Sequence, residues 1–166
     1  MQRTSFADMA CSIARTLDVV GEPWSPLIIR DVYVGITRFD DIQRDLGISR
    51  KVLTQRLNWL VDHDILTRRP YSERPPRSEY VLTDKGLEFC DVLLVINAWG
   101  DRWTAGPEGP PVRHRHRACG RLTHVEMRCV ACGDPLRAAD ITVEAGPGAR
   151  PGPGDAPGGA AGAAAR

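Results

Sequence analysis

The sequence has no long apolar run and no recognisable export signal. No window holds the roughly 18 uninterrupted apolar residues that a membrane-spanning helix needs, and residues 1–20 lack a basic segment followed by an apolar stretch and a cleavage site. These absences favour a cytoplasmic protein with no membrane partner. With 166 residues, 42% of them apolar, the chain is long enough for one domain with a sizeable core and an accessory segment.

Net charge is also nearly absent. The chain carries 22 basic and 21 acidic side chains, which leave a formal charge of +1 at pH 7. The total therefore argues neither for nor against a nucleic-acid partner, and the positions of the charges matter more. The five cysteines are an odd number, which fits free thiols or metal ligands better than a disulfide framework.

Three segments differ in composition. Residues 8–104 have the patterning of a compact helical domain with one hairpin, and residues 112–137 are rich in Cys, His and Arg. Residues 145–166 consist of Gly, Pro and Ala apart from two arginines and one aspartate. Because this last segment has no large side chain to bury, we expect a disordered tail.

The spacing of apolar residues predicts two helices near the N-terminus. In the first, Ile13, Leu17 and Val20 share one face and a glycine follows. In the second, Ser25 is the expected cap before a first-turn proline, and an apolar run continues towards Gly35.

The next two predicted helices are joined by a very short turn. Ile42 and Leu46 lie on one face of the third helix, Gly47 closes it, and Ser49 caps the fourth. Two helices with so tight a glycine-containing joint make a helix-turn-helix. In the fourth helix, residues 50–63, three leucines form the core stripe, which leaves a polar face outward: Lys51, Thr54, Gln55 and Asn58.

A hairpin and a long helix complete the predicted domain. The runs ILTRRPY and RSEYVLT read as strands with an exposed tip around SERPPR. Thr83 caps a fifth helix whose apolar residues occupy more than one stripe. This is more apolar surface than one small domain covers, so we expect a homodimer. The fold class is mainly α with a small β-hairpin (α+β), a winged helix-turn-helix with a long C-terminal dimerisation helix.

The helix-turn-helix and hairpin carry a local excess of positive charge, with seven basic and four acidic residues between positions 50 and 80. Basic residues supply affinity for phosphates, and side chains on a helix in the major groove discriminate bases. The base-reading candidates are Lys51, Thr54, Gln55 and Asn58, the backbone clamps Arg50 and Arg56, and the wing contacts Arg74 and Arg77. The same residues also suit a merely solvated helix face and a charged loop.

These motifs resemble the HxlR-type (MarR-like) family of winged-helix regulators over residues 8–104. The matching pieces are Cys11 with its following helix, Gly21 and Trp24, then RFDDIQ, ISRKVLTQRL and EYVLTDKG. The resemblance implies a dimer on double-stranded DNA, with paired terminal helices and half-sites about one turn apart. One departure is Ser12, where the family commonly has proline.

Cys11 stands at the position where some relatives carry a redox- or electrophile-responsive cysteine. A reactive thiol needs a partly exposed, electropositive setting, and Arg15 one turn on would contribute to it. The alternative is a small buried apolar residue at the start of a core helix, which is the more usual role of a free cysteine. For Cys90, too, the alternative to a reactive thiol is a buried structural residue. The inducing signal is not identifiable from the sequence.

Two motifs in residues 112–137, His-x2-Cys-Gly and Cys-x2-Cys-Gly, resemble the knuckles of a zinc ribbon. Three sulfurs and one imidazole complete a tetrahedral zinc shell. The predicted structural zinc ligands are His116, Cys119, Cys129 and Cys132, with His114 or His124 as substitutes for the first. A degenerate ribbon without metal and a dithiol redox pair are the competing interpretations.

The sequence therefore predicts a DNA-binding transcriptional regulator, a repressor more than an activator, responsive to a ligand or to redox state, and not an enzyme. One alternative is a protein-interaction module, since winged helices also serve as docking surfaces. Another is a thiol oxidoreductase built on Cys129 and Cys132. The basic residues 113–121 either contact flanking DNA or keep the C-terminal segment soluble.

Overall fold

The structure is a computed structural model that describes residues 5–150. Within that range a bundle of five helices carries one long hairpin, and a second, short hairpin follows. The elements are α1 (Ser12–Val20), α2 (Trp24–Tyr33), α3 (Phe39–Leu46), α4 (Arg50–Asp62), β1 (Leu66–Glu73), β2 (Pro76–Leu82), α5 (Asp84–Trp103), β3 (His114–Arg115), β4 (Leu122–Thr123) and a 3-10 turn (Ala138–Asp140). This order confirms the α+β winged helix-turn-helix. None of the helices in residues 5–150 has the length and hydropathy needed to cross a membrane.

Three of the predicted helix boundaries are confirmed by their capping contacts. Ser49 Oγ accepts a hydrogen bond from the Val52 amide at 3.3 Å, and Thr83 Oγ1 accepts one from the Gly86 amide at 3.1 Å. Gly47 ends α3 with a φ of 64°, a left-handed conformation that costs glycine little. The short joint of the helix-turn-helix therefore follows from local sequence.

The predicted start of the second helix was wrong. α2 begins at Trp24, and its N-terminus is closed by Glu22, whose carboxylate accepts from the Ser25 amide at 2.6 Å and from the Ser25 hydroxyl at 3.2 Å. The carboxylate thus replaces the serine as the group that satisfies the first free amides. The predicted end is confirmed, because the helix runs to Tyr33, Val34 is its C-cap, and Gly35 follows with a left-handed φ of 95°.

One hydrophobic core holds the winged domain together. The leucine stripe of α4 is fully buried as predicted, at Leu53, Leu57 and Leu60. It packs with Ile28 and Ile29 of α2 and with other apolar side chains between residues 20 and 90. α5 approaches this core so closely at its first turn that a Cβ on Gly86 would lie 2.1 Å from the Ile65 carbonyl oxygen.

α1 and α5 leave apolar side chains uncovered. Ile13 and Leu17, which share one face of α1 with the buried Val20, are 71% and 49% exposed. On α5 the exposed apolar residues are Leu87, Val92, Ile96, Trp99 and Trp103. The surplus of apolar surface expected for the long helix is therefore present in the single chain.

The segment after α5 forms two turns rather than a core. β3 pairs with β4 in an antiparallel register, and a second turn is closed by an isolated bridge between Arg128 and Pro135. Residues 145–150 belong to no helix or strand, and residues 151–166 of the predicted tail lie outside the described residues.

Candidate DNA-binding surface

An arginine links α2 to α3, the first helix of the helix-turn-helix. Arg30 of α2 pairs with Asp31 at 2.6 Å and with Asp45 of α3 at 2.8 Å. The Asp31 side chain is fully buried, and this burial raises the pKa of its carboxyl. Arg30 therefore connects α3 to the helix that precedes it.

α4 presents its polar face to solvent. The four base-reading candidates follow one another at helical spacing and all are exposed: Lys51, Thr54, Gln55 and Asn58. They lie opposite the buried leucines because side chains three and four positions apart share a face. A helix with such a face, preceded by α3 and a tight turn, has the form of a recognition helix in the major groove.

The two candidate backbone clamps of α4 have different surroundings. Arg50 is exposed at the start of the helix, where its guanidinium pairs with Asp40 at 2.8 Å and lies 4.6 Å from the centre of the Phe39 ring. Arg56 is half-buried and faces Glu22 at 3.6 Å. Among residues 5–150 its Nε is buried and has no hydrogen-bond partner. This inward position does not favour a phosphate contact by Arg56, and the role stays a prediction.

The wing, which is the β1–β2 hairpin, is hydrogen-bonded to the segment that precedes α3. The Tyr80 amide donates to the Thr37 carbonyl at 2.8 Å. Glu79 accepts from the Thr37 hydroxyl at 3.1 Å and pairs with Arg69 at 2.8 Å. The hydrogen bond from Arg69 is the main reason why the pKa of Glu79 is lowered. Arg74 and Arg77, at the tip of the hairpin, are exposed and take no part in these contacts.

Two arginines of this surface were not among the predicted site residues. Arg68 of β1 donates to Asn58 Oδ1, so the wing touches one of the base-reading candidates directly. Arg38 lies 4.6 Å from the centre of the Tyr71 ring. The available signal for Arg68 was strand alternation, which places it on the same face as the buried Leu66, whereas the stacking of Arg38 depends on tertiary packing.

The two cysteines of the winged domain are in opposite environments. Cys11 is exposed at the start of α1, one helical turn from Arg15. Cys90 is buried, its thiol donates to the Gly86 carbonyl at 3.3 Å, and burial raises its pKa. Cys90 is therefore a structural residue, while Cys11 is accessible to a reagent.

Each predicted zinc motif forms a local turn closed by glycine. In the first, His116 Nδ1 lies 3.3 Å from Cys119 Sγ, and Gly120 has a φ of 68°. In the second, Gly133 has a φ of 80°, and amides of the turn donate to the Cys129 sulfur, which lowers the pKa of that thiol. In residues 5–150 no three His, Cys, Asp or Glu side chains converge as a metal site. The zinc site stays a prediction that needs the two turns to approach.

The chain is similar to known regulators along most of its length. A model of the HxlR-like helix-turn-helix family matches residues 19–107. An uncharacterised HTH-type transcriptional regulator of Mycobacterium tuberculosis, Rv3095, is 41% identical over 137 residues, which cover 82% of this chain and 87% of that protein. This match extends beyond the winged domain.

Two solved structures share the fold. The crystal structure of PA1607, described as a candidate transcription factor, has a TM-score of 0.76 and 37% identity and covers 85% of this chain and 99% of that one. The redox regulator HypR in its reduced form has a TM-score of 0.52 and 30% identity, and covers 55% of this chain and 92% of that one. The likeness to PA1607 thus includes much of the C-terminal segment.

Proposed function

The chain belongs to the HxlR-like helix-turn-helix family of transcriptional regulators, and from this premise we propose that it binds specific duplex DNA in the cytoplasm as a homodimer and represses the promoters that it covers. The observation that carries the proposal is the exposed polar face of α4 beside the basic wing. Lys51 suits guanine, and Gln55 and Asn58 suit adenine. Arg74 and Arg77 are placed to contact phosphates or an adjacent minor groove. No catalytic role is proposed.

The test is selection of sheared genomic DNA by the purified protein at near-physiological salt, followed by sequencing of the retained fragments. We expect an enriched pseudo-palindrome with half-site centres about 10 base pairs apart. Retention without sequence preference, or none at all, would instead favour a protein-docking role for the winged helix. The selected promoter positions also separate repression from activation.

The homodimer rests on the apolar residues that α1 and α5 leave exposed. Trp99 and Trp103 are 62% and 64% exposed, and aromatic side chains of this size are rarely left in water. Trp99→Glu should raise the dimer dissociation constant by at least about 100-fold, since the two copies together lose roughly 3–6 kcal/mol of burial. Sedimentation equilibrium measures this constant. Val34→Glu, at an exposed apolar residue outside this face, is the matched control and should leave the constant unchanged.

A redox response through Cys11 is the second part of the proposal. Its support is the exposure of the thiol, the nearby Arg15 and the likeness to a protein named as a redox regulator. Mild oxidation should lower the affinity for the selected DNA in the native protein and leave that of Cys11→Ser unchanged. Equal losses in both proteins would remove Cys11 from the response.

For the C-terminal turns we propose structural zinc on His116, Cys119, Cys129 and Cys132. The donor types and the glycine-closed turns suit zinc, which would supply a cross-link that the apolar residues there do not. Metal analysis of the purified protein should find about one zinc per chain, lost in Cys132→Ser and retained in Cys11→Ser. No zinc in the native protein, together with turnover of a dithiol substrate, would favour the oxidoreductase alternative.

A further inference from the structure

A cavity of about 580 Å³ lies between the winged domain and the β3–β4 hairpin. Its apolar wall is built from Tyr33 at the end of α2, Leu82 at the end of β2, and Leu87 and Leu94 of α5. Tyr33 and Leu87 are 46% and 52% exposed. The volume falls in the range of sites for small organic ligands, and apolar walls of this kind are typical of them.

The opposite wall is cationic. Its charge comes from Arg115 and Arg117, and no aspartate or glutamate among the described residues lines the cavity. The imidazoles of His114, His116 and His124 line the same wall. Within residues 5–150 neither arginine makes an ion pair with a carboxylate, whereas Arg128 nearby pairs with Glu126 at 2.8 Å. One nitrogen of Arg115 donates to the Gly120 carbonyl, which orients the guanidinium and leaves its other donors available.

We propose that this cavity binds an organic carboxylate with a flat apolar body. The carboxylate accepts hydrogen bonds from Arg115 and Arg117, because guanidinium groups bind carboxylates through paired, charge-assisted bonds. The apolar body packs on Tyr33, Leu82 and Leu87. An inorganic anion fits this cavity less well, because it would leave the apolar wall in water. A neutral ligand also fits less well, because it would leave the two guanidinium groups without a counter-charge.

The cavity and the apolar surface proposed for dimerisation are on different sides of α5. Leu87 and Leu94 are seven residues apart and share one face, while Val92 and Ile96 lie on the opposite face. A dimer formed through Val92 and Ile96 therefore leaves the cavity available to a ligand.

The ligand also acts on DNA binding, and this part rests on the proposed function. Tyr33 and Leu82 end the two elements that lead into the helix-turn-helix and out of the wing. A ligand that holds α2, β2 and α5 in one arrangement changes the affinity for DNA when that arrangement differs from the DNA-bound one.

The experiment titrates the full-length protein with 2-naphthoate and with the neutral 2-naphthamide, using calorimetry without DNA. We expect saturable binding of 2-naphthoate, about tenfold or more weaker binding of the amide, and a similar loss in the Arg115→Gln/Arg117→Gln double variant. Arg121→Gln is the matched control, because Arg121 is an exposed arginine of the same hairpin outside the cavity. It should bind 2-naphthoate as the native protein does.

Absence of saturable binding, equal binding of the amide, or an equal loss in Arg121→Gln would overturn the site. Unchanged 2-naphthoate binding with a reduced salt dependence of DNA binding in the double variant would overturn it too, and assign these arginines to DNA.

The regulatory part is tested on DNA binding. Saturating 2-naphthoate should change the affinity for the selected DNA about threefold or more. No change, with ligand binding intact, would overturn the regulatory part. A failure of the proposed DNA-binding function leaves the calorimetric result standing.

Discussion

The winged domain and the C-terminal segment of this protein are stabilised in different ways. Every buried apolar residue in the described part of the chain lies between Val20 and Cys90. Residues 104–150 have none, and their turns are closed by backbone hydrogen bonds such as that from the Gly133 amide to the Cys129 carbonyl at 2.8 Å. Since a segment of this size cannot build a core alone, we expect its order to depend on α5 or on the zinc or ligand proposed above.

The largest expected difference between the two regions is in the free energy of unfolding lost when a leucine side chain is truncated. Leu57 is fully buried, so Leu57→Ala should lower the free energy of unfolding by about 2–5 kcal/mol. Leu122 of the short hairpin is 53% exposed, and Leu122→Ala should cost about 0.5 kcal/mol or less. Urea unfolding followed by circular dichroism measures both. A loss in Leu122→Ala as large as that in Leu57→Ala would show that the C-terminal segment belongs to the same cooperative unit.

DNA binding should also divide between the two regions. Gln55→Ala removes an exposed amide from the polar face of α4 and should weaken specific binding by about 1–3 kcal/mol. Truncation after Gly106 should leave both the affinity and its salt dependence unchanged, because we expect the basic residues 113–121 to aid solubility. Titrations of the selected DNA at several salt concentrations provide the comparison. A smaller salt slope in the truncated protein would show instead that these residues contact DNA.

The thiols offer a third contrast. Backbone amides of Cys132 and Ala131 lower the pKa of Cys129, whereas burial raises the pKa of Cys90. With metal removed by a chelator, iodoacetamide at neutral pH should therefore modify Cys129 well before Cys90. Peptide mass spectrometry over a time course gives the two rates. The same reaction in concentrated guanidinium chloride is the control, and there the two rates should converge.

The sequence predicted the winged domain better than it predicted the C-terminal segment, for a physical reason. The caps at Ser49 and Thr83 and the buried stripe of α4 depend on neighbours within one turn, and all were confirmed. The start of α2 was wrong because the capping carboxylate of Glu22 competes with the serine predicted for that role.

The candidate site divides in the same way. The exposed face of α4 follows from helical periodicity alone. The inward position of Arg56 and the contact of Arg68 with Asn58 depend on residues 34 and 10 positions away in sequence. Long-range pairs of this kind leave no local pattern, and neither does the cavity between α5 and the second hairpin.

The smallest expected effect on stability concerns the contacts of Glu79 with Thr37 and Arg69, which join the wing to the segment before α3. The folded protein lowers the pKa of Glu79 below its usual 4.5, mainly through the hydrogen bond from Arg69. Ionised Glu79 therefore contributes stability that is present above about pH 4.5 and is lost as the pH falls through the lowered pKa. Native protein should be slightly more stable than Glu79→Gln at pH 7, and the two should converge in acid. Glu73→Gln, at an exposed carboxylate near the tip, is the control and should follow the native protein. A difference from Glu79→Gln that does not shrink as the pH is lowered would mean that Glu79 acts through packing and not through its charge.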